Sequence, residues 1–95
     1  MSSNDKTKEK YQLEAEIQRA DHAKRILNDT LVVDTLAKMR ATVFDNFRTS
    51  KFDNVEERED LYKMIKAIDH FEGEFVRLIN NGKKAQSILS KWFNK

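Results

Sequence analysis

Proline is absent from this chain, and glycine occurs only twice, at Gly73 and Gly82. These two residue types break helices and supply the tight turns of β proteins. A β fold of 95 residues needs many such turns, and this chain lacks the residues to build them. The chain is therefore confined to a few long helices, an all-α fold in one small domain.

Apolar spacing places the helices. Leu13, Ile17, Ala20 and Leu27 recur at helical intervals and predict an N-terminal helix over about 9–27. Residues 1–8 are polar, carry no apolar stripe and are expected to fray as a flexible N-terminus. Asn28, Asp29 and Thr30 form a break, and any of the three can cap the next helix. Val32, Leu36, Met39, Val43 and Phe47 predict that second helix over about 31–49. After a loop at 50–54, Asp53 or Asn54 can cap a third helix over about 55–80. Its first turns carry Glu56, Glu57, Glu59 and Asp60, which suit the positive end of the helix dipole. Leu61, Met64, Ile68, Phe71, Phe75 and Leu78 come next at alternating spacings of three and four, a near-heptad seam. Asn80, Asn81 and Gly82 read as a C-cap, and a short fourth helix is expected over about 84–93.

Helices joined by so short a loop are expected to pack as a long antiparallel hairpin. Two helices cannot bury both stripes, so the N-terminal helix is expected to complete a three-helix bundle while hairpins from several chains associate. The expected organisation is thus a flexible tail (1–8), a hairpin or bundle (9–82) and a basic aromatic segment (83–95).

No catalytic, cofactor or metal constellation is present in the sequence. Cysteine is absent, and neither His22 nor His70 has a second ligand at helical spacing. There is no phosphate-binding glycine loop and no nucleophile motif. The carboxylates from Glu56 to Asp60 are explained by the start of a helix. The expected function is binding without catalysis. No apolar run is long enough to span a bilayer, and the expected location is cytoplasmic.

Three features remain as binding candidates. The seam Leu61, Met64, Ile68, Phe71, Phe75 and Leu78 is the expected oligomer or partner interface, with a homo-oligomer the expected state. Residues 83–95 hold four basic groups and no acid. There Lys83, Lys84, Lys91, Trp92 and Phe93 have three readings: Trp92 packs back on the hairpin, the segment docks on a protein partner, or it contacts nucleic acid. Arg48, Thr49, Ser50 and Lys51 at the loop either meet phosphates or are simply solvated. A helix-turn-helix reader is disfavoured, because the helix after Asn28-Asp29-Thr30 carries an apolar face instead of side chains suited to base edges.

Four stretches carry a resemblance: Ala20-Asp-His-Ala-Lys-Arg-Ile-Leu27, Phe47-Arg-Thr-Ser50, Glu57-Arg-Glu-Asp-Leu-Tyr62 and Leu78-Ile-Asn-Asn-Gly82-Lys. Over about 20–85 the chain is similar to small helical proteins encoded among bacteriophage head and DNA-packaging genes. That resemblance implies a role in virion assembly or DNA packaging, in the host cytoplasm or the virion. Small terminase subunits are the nearest characterised comparison, although residues 1–28 are too short and too neutral for their separate DNA-binding domain. Scaffolding proteins, whose basic C-terminal helix contacts coat protein, are a second comparison, although this chain is short for a scaffold. A nucleic-acid-binding factor and a small regulator or inhibitor of a host protein are the alternative functions.

Overall fold

The computed structural model describes residues 3–93, with side chains from residue 5 onward. It is all-helical, with three helices: α1 (Ser3–Asn28), α2 (Thr30–Thr49) and α3 (Val55–Phe93).

Two of the borders match the sequence closely. Asp29 caps α2, its carboxylate accepting from the Leu31 N–H at 2.9 Å and the Val32 N–H at 3.2 Å. Asn54 starts α3. Its side-chain oxygen accepts from the Glu57 N–H at 3.2 Å, while its amide donates to the Glu57 carboxylate at 3.0 Å. Each cap satisfies backbone donors that a helix start leaves open.

Two borders differ from expectation. Residues 3–8, expected to fray, continue α1. Lys6 lies over the Trp92 ring at 5.8 Å and Lys10 over the Phe93 ring at 5.4 Å, contacts that hold this first stretch. The larger correction is at Gly82. There is no C-cap at 80–82 and no separate fourth helix, because α3 runs unbroken from Val55 to Phe93, 39 residues. Neither glycine has positive φ. Gly82 is instead a point of close approach between α1 and α3. A Cβ placed there would overlap the Cβ of Ala20 and lie 3.3 Å from the Glu16 carbonyl oxygen. The missing side chain serves close packing, not a left-handed turn.

The chain divides into two compact units, each a pair of helical segments. One comprises residues 1–26 and 74–95; the other comprises 27–73. In the first, Leu13 clusters with Ala85 and Leu89, and Ile17 and Trp92 pack against them. Ala20 and Ala23 are buried as well, so this contact is built largely from small residues. In the second, Leu36 and Val43 of α2 cluster with Leu61 and Ile68 of α3, with Val32 and Ile65 alongside. Neither cluster draws on all three helices, which replaces the expected three-helix bundle. Within the first unit α1 packs against the part of α3 from residue 74 onward, and within the second α2 packs against the part up to residue 73.

Candidate interaction surfaces

The unit 27–73 is a two-helix layer, so each helix keeps uncovered flanks. On one flank an apolar groove of about 510 Å³ runs between Leu31, Leu36 and Met39 of α2 and Ile68 and Phe71 of α3. It continues into a second groove of about 660 Å³ that reaches Thr42 and Met64, and Thr35, Met39, Ala67 and Ile68 line both. Lys38 is the only charged residue along this lining. Leu31 is 75% exposed, Met39 47%, Met64 54% and Phe71 53%.

The other flank is closed by charge. Arg40 of α2 reaches Asp69 at 3.2 Å and Glu72 at 3.3 Å on α3. The hydrogen bond to Asp69 does most to hold the Arg40 guanidinium protonated above its ordinary range; partial burial acts against this, and Glu72 adds to it. Further along, Phe44, Phe47 and Tyr62 line a smaller hollow of about 160 Å³. Arg58 lies over the Phe47 ring at 4.9 Å and the Phe52 ring at 5.8 Å, and donates to the Phe52 carbonyl at 3.4 Å, which pins the loop to α3.

The six residues of the expected interface are therefore not one surface. Leu61 and Ile68 are buried against α2. Met64 and Phe71 stand on the open groove. Phe75 and Leu78 belong to the other unit and are half-buried. Leu31 and Met39 complete the groove from α2. Their exposure is hidden in sequence, because both fit an apolar stripe as well as buried Leu36 does.

No known protein family, characterised protein or solved structure matches this chain.

The C-terminal candidates separate by face. Trp92 is half-buried against the Leu13 cluster, with Lys6 over its ring. Phe93 is 67% exposed. Lys83, Lys84 and Lys91 are all exposed. At the loop, the Thr49 hydroxyl donates to the Asp45 carbonyl at 2.9 Å and the Ser50 hydroxyl to the Phe47 carbonyl at 2.6 Å. Arg48 reaches Asp45 at 3.5 Å. Both hydroxyls are thus committed to the end of α2, which favours the solvated reading of this loop over a phosphate site. Among the described residues no group of three or more potential metal ligands occurs, and no helix is long and apolar enough to cross a membrane.

Proposed function

We propose that this chain is a non-enzymatic helical assembly protein that associates with copies of itself through the open groove of α2 and α3. One observation carries the reading. Leu31, Met39, Met64 and Phe71 are each about half exposed or more around one continuous apolar groove with a single charge in it. Contiguous apolar surface of this kind marks an interface. The groove is also open to a second pair of helices, the arrangement of a four-helix bundle. The resemblance of residues 20–85 to proteins of bacteriophage head and packaging genes supports virion assembly or DNA packaging as the setting.

Sedimentation equilibrium of the full chain tests the association. Wild type is expected to self-associate at tens of micromolar. Leu31→Glu combined with Met64→Glu is expected to yield a monomer with unchanged helix content, because both side chains are exposed in the isolated chain. Tyr62→Glu, on the other flank, is expected to leave the assembly intact. A wild-type chain that stays strictly monomeric at these concentrations removes the proposal.

A further inference from the structure

Charge is divided between the two compact units. Residues 27–73 carry seven basic and ten acidic groups, a net charge of −3. Residues 1–26 and 74–95 together carry eleven basic and six acidic groups, a net charge of +5. Within the basic unit the imbalance is concentrated on α3. From Phe75 to Phe93 the helix contains no acidic residue, while Arg77, Lys83, Lys84 and Lys91 all fall there.

Helical geometry sorts these cations. Arg77, Lys84 and Lys91 are each seven residues apart, so they lie along one stripe at intervals of about 10.5 Å. Gly82, Ala85 and Leu89 form the buried side of the same segment, so the stripe faces away from α1. All three cations are exposed; Lys83 is exposed as well but lies one helical step, about 100°, to the side, where it lines a hollow with Ile17, Ala20, Asp21 and Lys24 of α1. Arg77 is shared with Glu74 at 3.0 Å; among the described residues Lys83, Lys84 and Lys91 take part in no ion pair. Asn80, Asn81 and Ser87 interleave the cations and add neutral hydrogen-bonding groups.

We infer that this outer face of α3 binds the phosphate backbone of nucleic acid. Regularly spaced cations with amide and hydroxyl groups between them are the chemistry that contacts phosphates without reading bases. The stripe spans about 21 Å, roughly six base pairs of duplex at 3.4 Å each. An anionic membrane is the weaker match. A surface-lying helix inserts a broad apolar face beside its lysines, and here Ile88, 39% exposed, is the one large apolar residue between Lys84 and Lys91 on the open side. Trp92 is not required, since it packs against the Leu13 cluster. The inference stands on a different surface from the self-association groove and does not depend on it.

Fluorescence anisotropy of the full chain with a labelled random-sequence duplex tests it. Three free lysines predict that the logarithm of the binding constant falls against the logarithm of salt with a slope of about −2.7. Substituting Lys83, Lys84 and Lys91 together by alanine is expected to bring the slope close to zero while helix content stays unchanged. Substituting Lys38, Lys63 and Lys66 of the acidic unit by alanine is expected to leave it alone. Absence of binding at low salt overturns the inference, as does a slope that survives the first triple substitution. Binding to phosphatidylserine vesicles without binding to duplex overturns it in favour of a membrane. Salt-sensitive self-association in the absence of duplex, lost in the same variant with no duplex affinity, overturns it too and assigns the stripe to the acidic unit of another copy.

Discussion

The two glycines should respond to alanine in opposite ways. Both lie inside α3, where glycine costs about 1 kcal/mol relative to alanine. At Gly73 a new Cβ meets nothing within 4 Å, so Gly73→Ala should recover that full amount. For a chain of this size the gain corresponds to a rise in melting temperature of about 4–8 °C. At Gly82 the same propensity gain is available, but the new methyl would overlap the Cβ of Ala20. Restoring a carbon–carbon separation of about 3.5–4.0 Å forces α1 and α3 apart and loosens the contacts of Ala23 and Ala85. Overpacking of this kind costs about 1–3 kcal/mol. The propensity gain is common to both variants, so Gly82→Ala should fall below Gly73→Ala by that penalty. Urea titration followed by far-UV circular dichroism measures the difference directly. Two further variants separate close packing from a left-handed cap, which also favours glycine. Asn is tolerated at a cap; here Gly82→Asn should be worse than Gly82→Ala. Ala20→Gly should partly rescue Gly82→Ala, since it removes the opposing methyl. Stabilisation by Gly82→Ala as large as that by Gly73→Ala would show that the helices do not touch at this point.

Two smaller effects arise at the helix starts and the charged flank. Asp29→Ala removes the acceptor for two backbone N–H groups at the start of α2 and should cost about 1 kcal/mol, read as a lower urea midpoint with an unchanged slope. Arg40→Ala breaks both cross-helix ion pairs and should cost at most about 1 kcal/mol, because Asp69 and Glu72 are half exposed and screened; the loss should shrink with added salt, and a salt-independent loss would point to packing of the arginine stem instead.

Much of the fold is legible in the sequence because its signals are local. The lack of proline, the cap at Asp29 and the acidic start after Asn54 depend only on neighbouring residues, and each appears as the sequence implies. Gly82 reads wrongly because Asn80-Asn81-Gly82 has cap chemistry, and sequence does not show that another helix lies against it. The only hint is the set of small residues Ala20, Ala23 and Ala85, which is compatible with a close helix contact but also with a surface. The open groove is half legible for a similar reason. Periodicity ranks Met64 and Ile68 alike, and only the position of α2 decides that Ile68 is buried and Met64 is not.

That partition also bears on stability. Among the described residues the buried hydrophobic set is nine aliphatic side chains, four of them alanines or valines, and no large side chain is fully enclosed. Leu31, Met39, Met64 and Phe71, by their exposures, withhold the equivalent of rather more than two side chains from the core. Burying each full equivalent is worth about 1.5–3 kcal/mol, so covering the groove would contribute roughly 3–7 kcal/mol per copy before the entropic cost of association. A whole domain is stable by about 5–15 kcal/mol. Association through this groove would therefore add an amount comparable with folding itself, and the two would be linked by mass action. The melting temperature of the wild-type chain should rise with protein concentration, and that of the Leu31→Glu, Met64→Glu variant should not. A concentration-independent wild type would mean that the isolated chain is stable without a partner on this face.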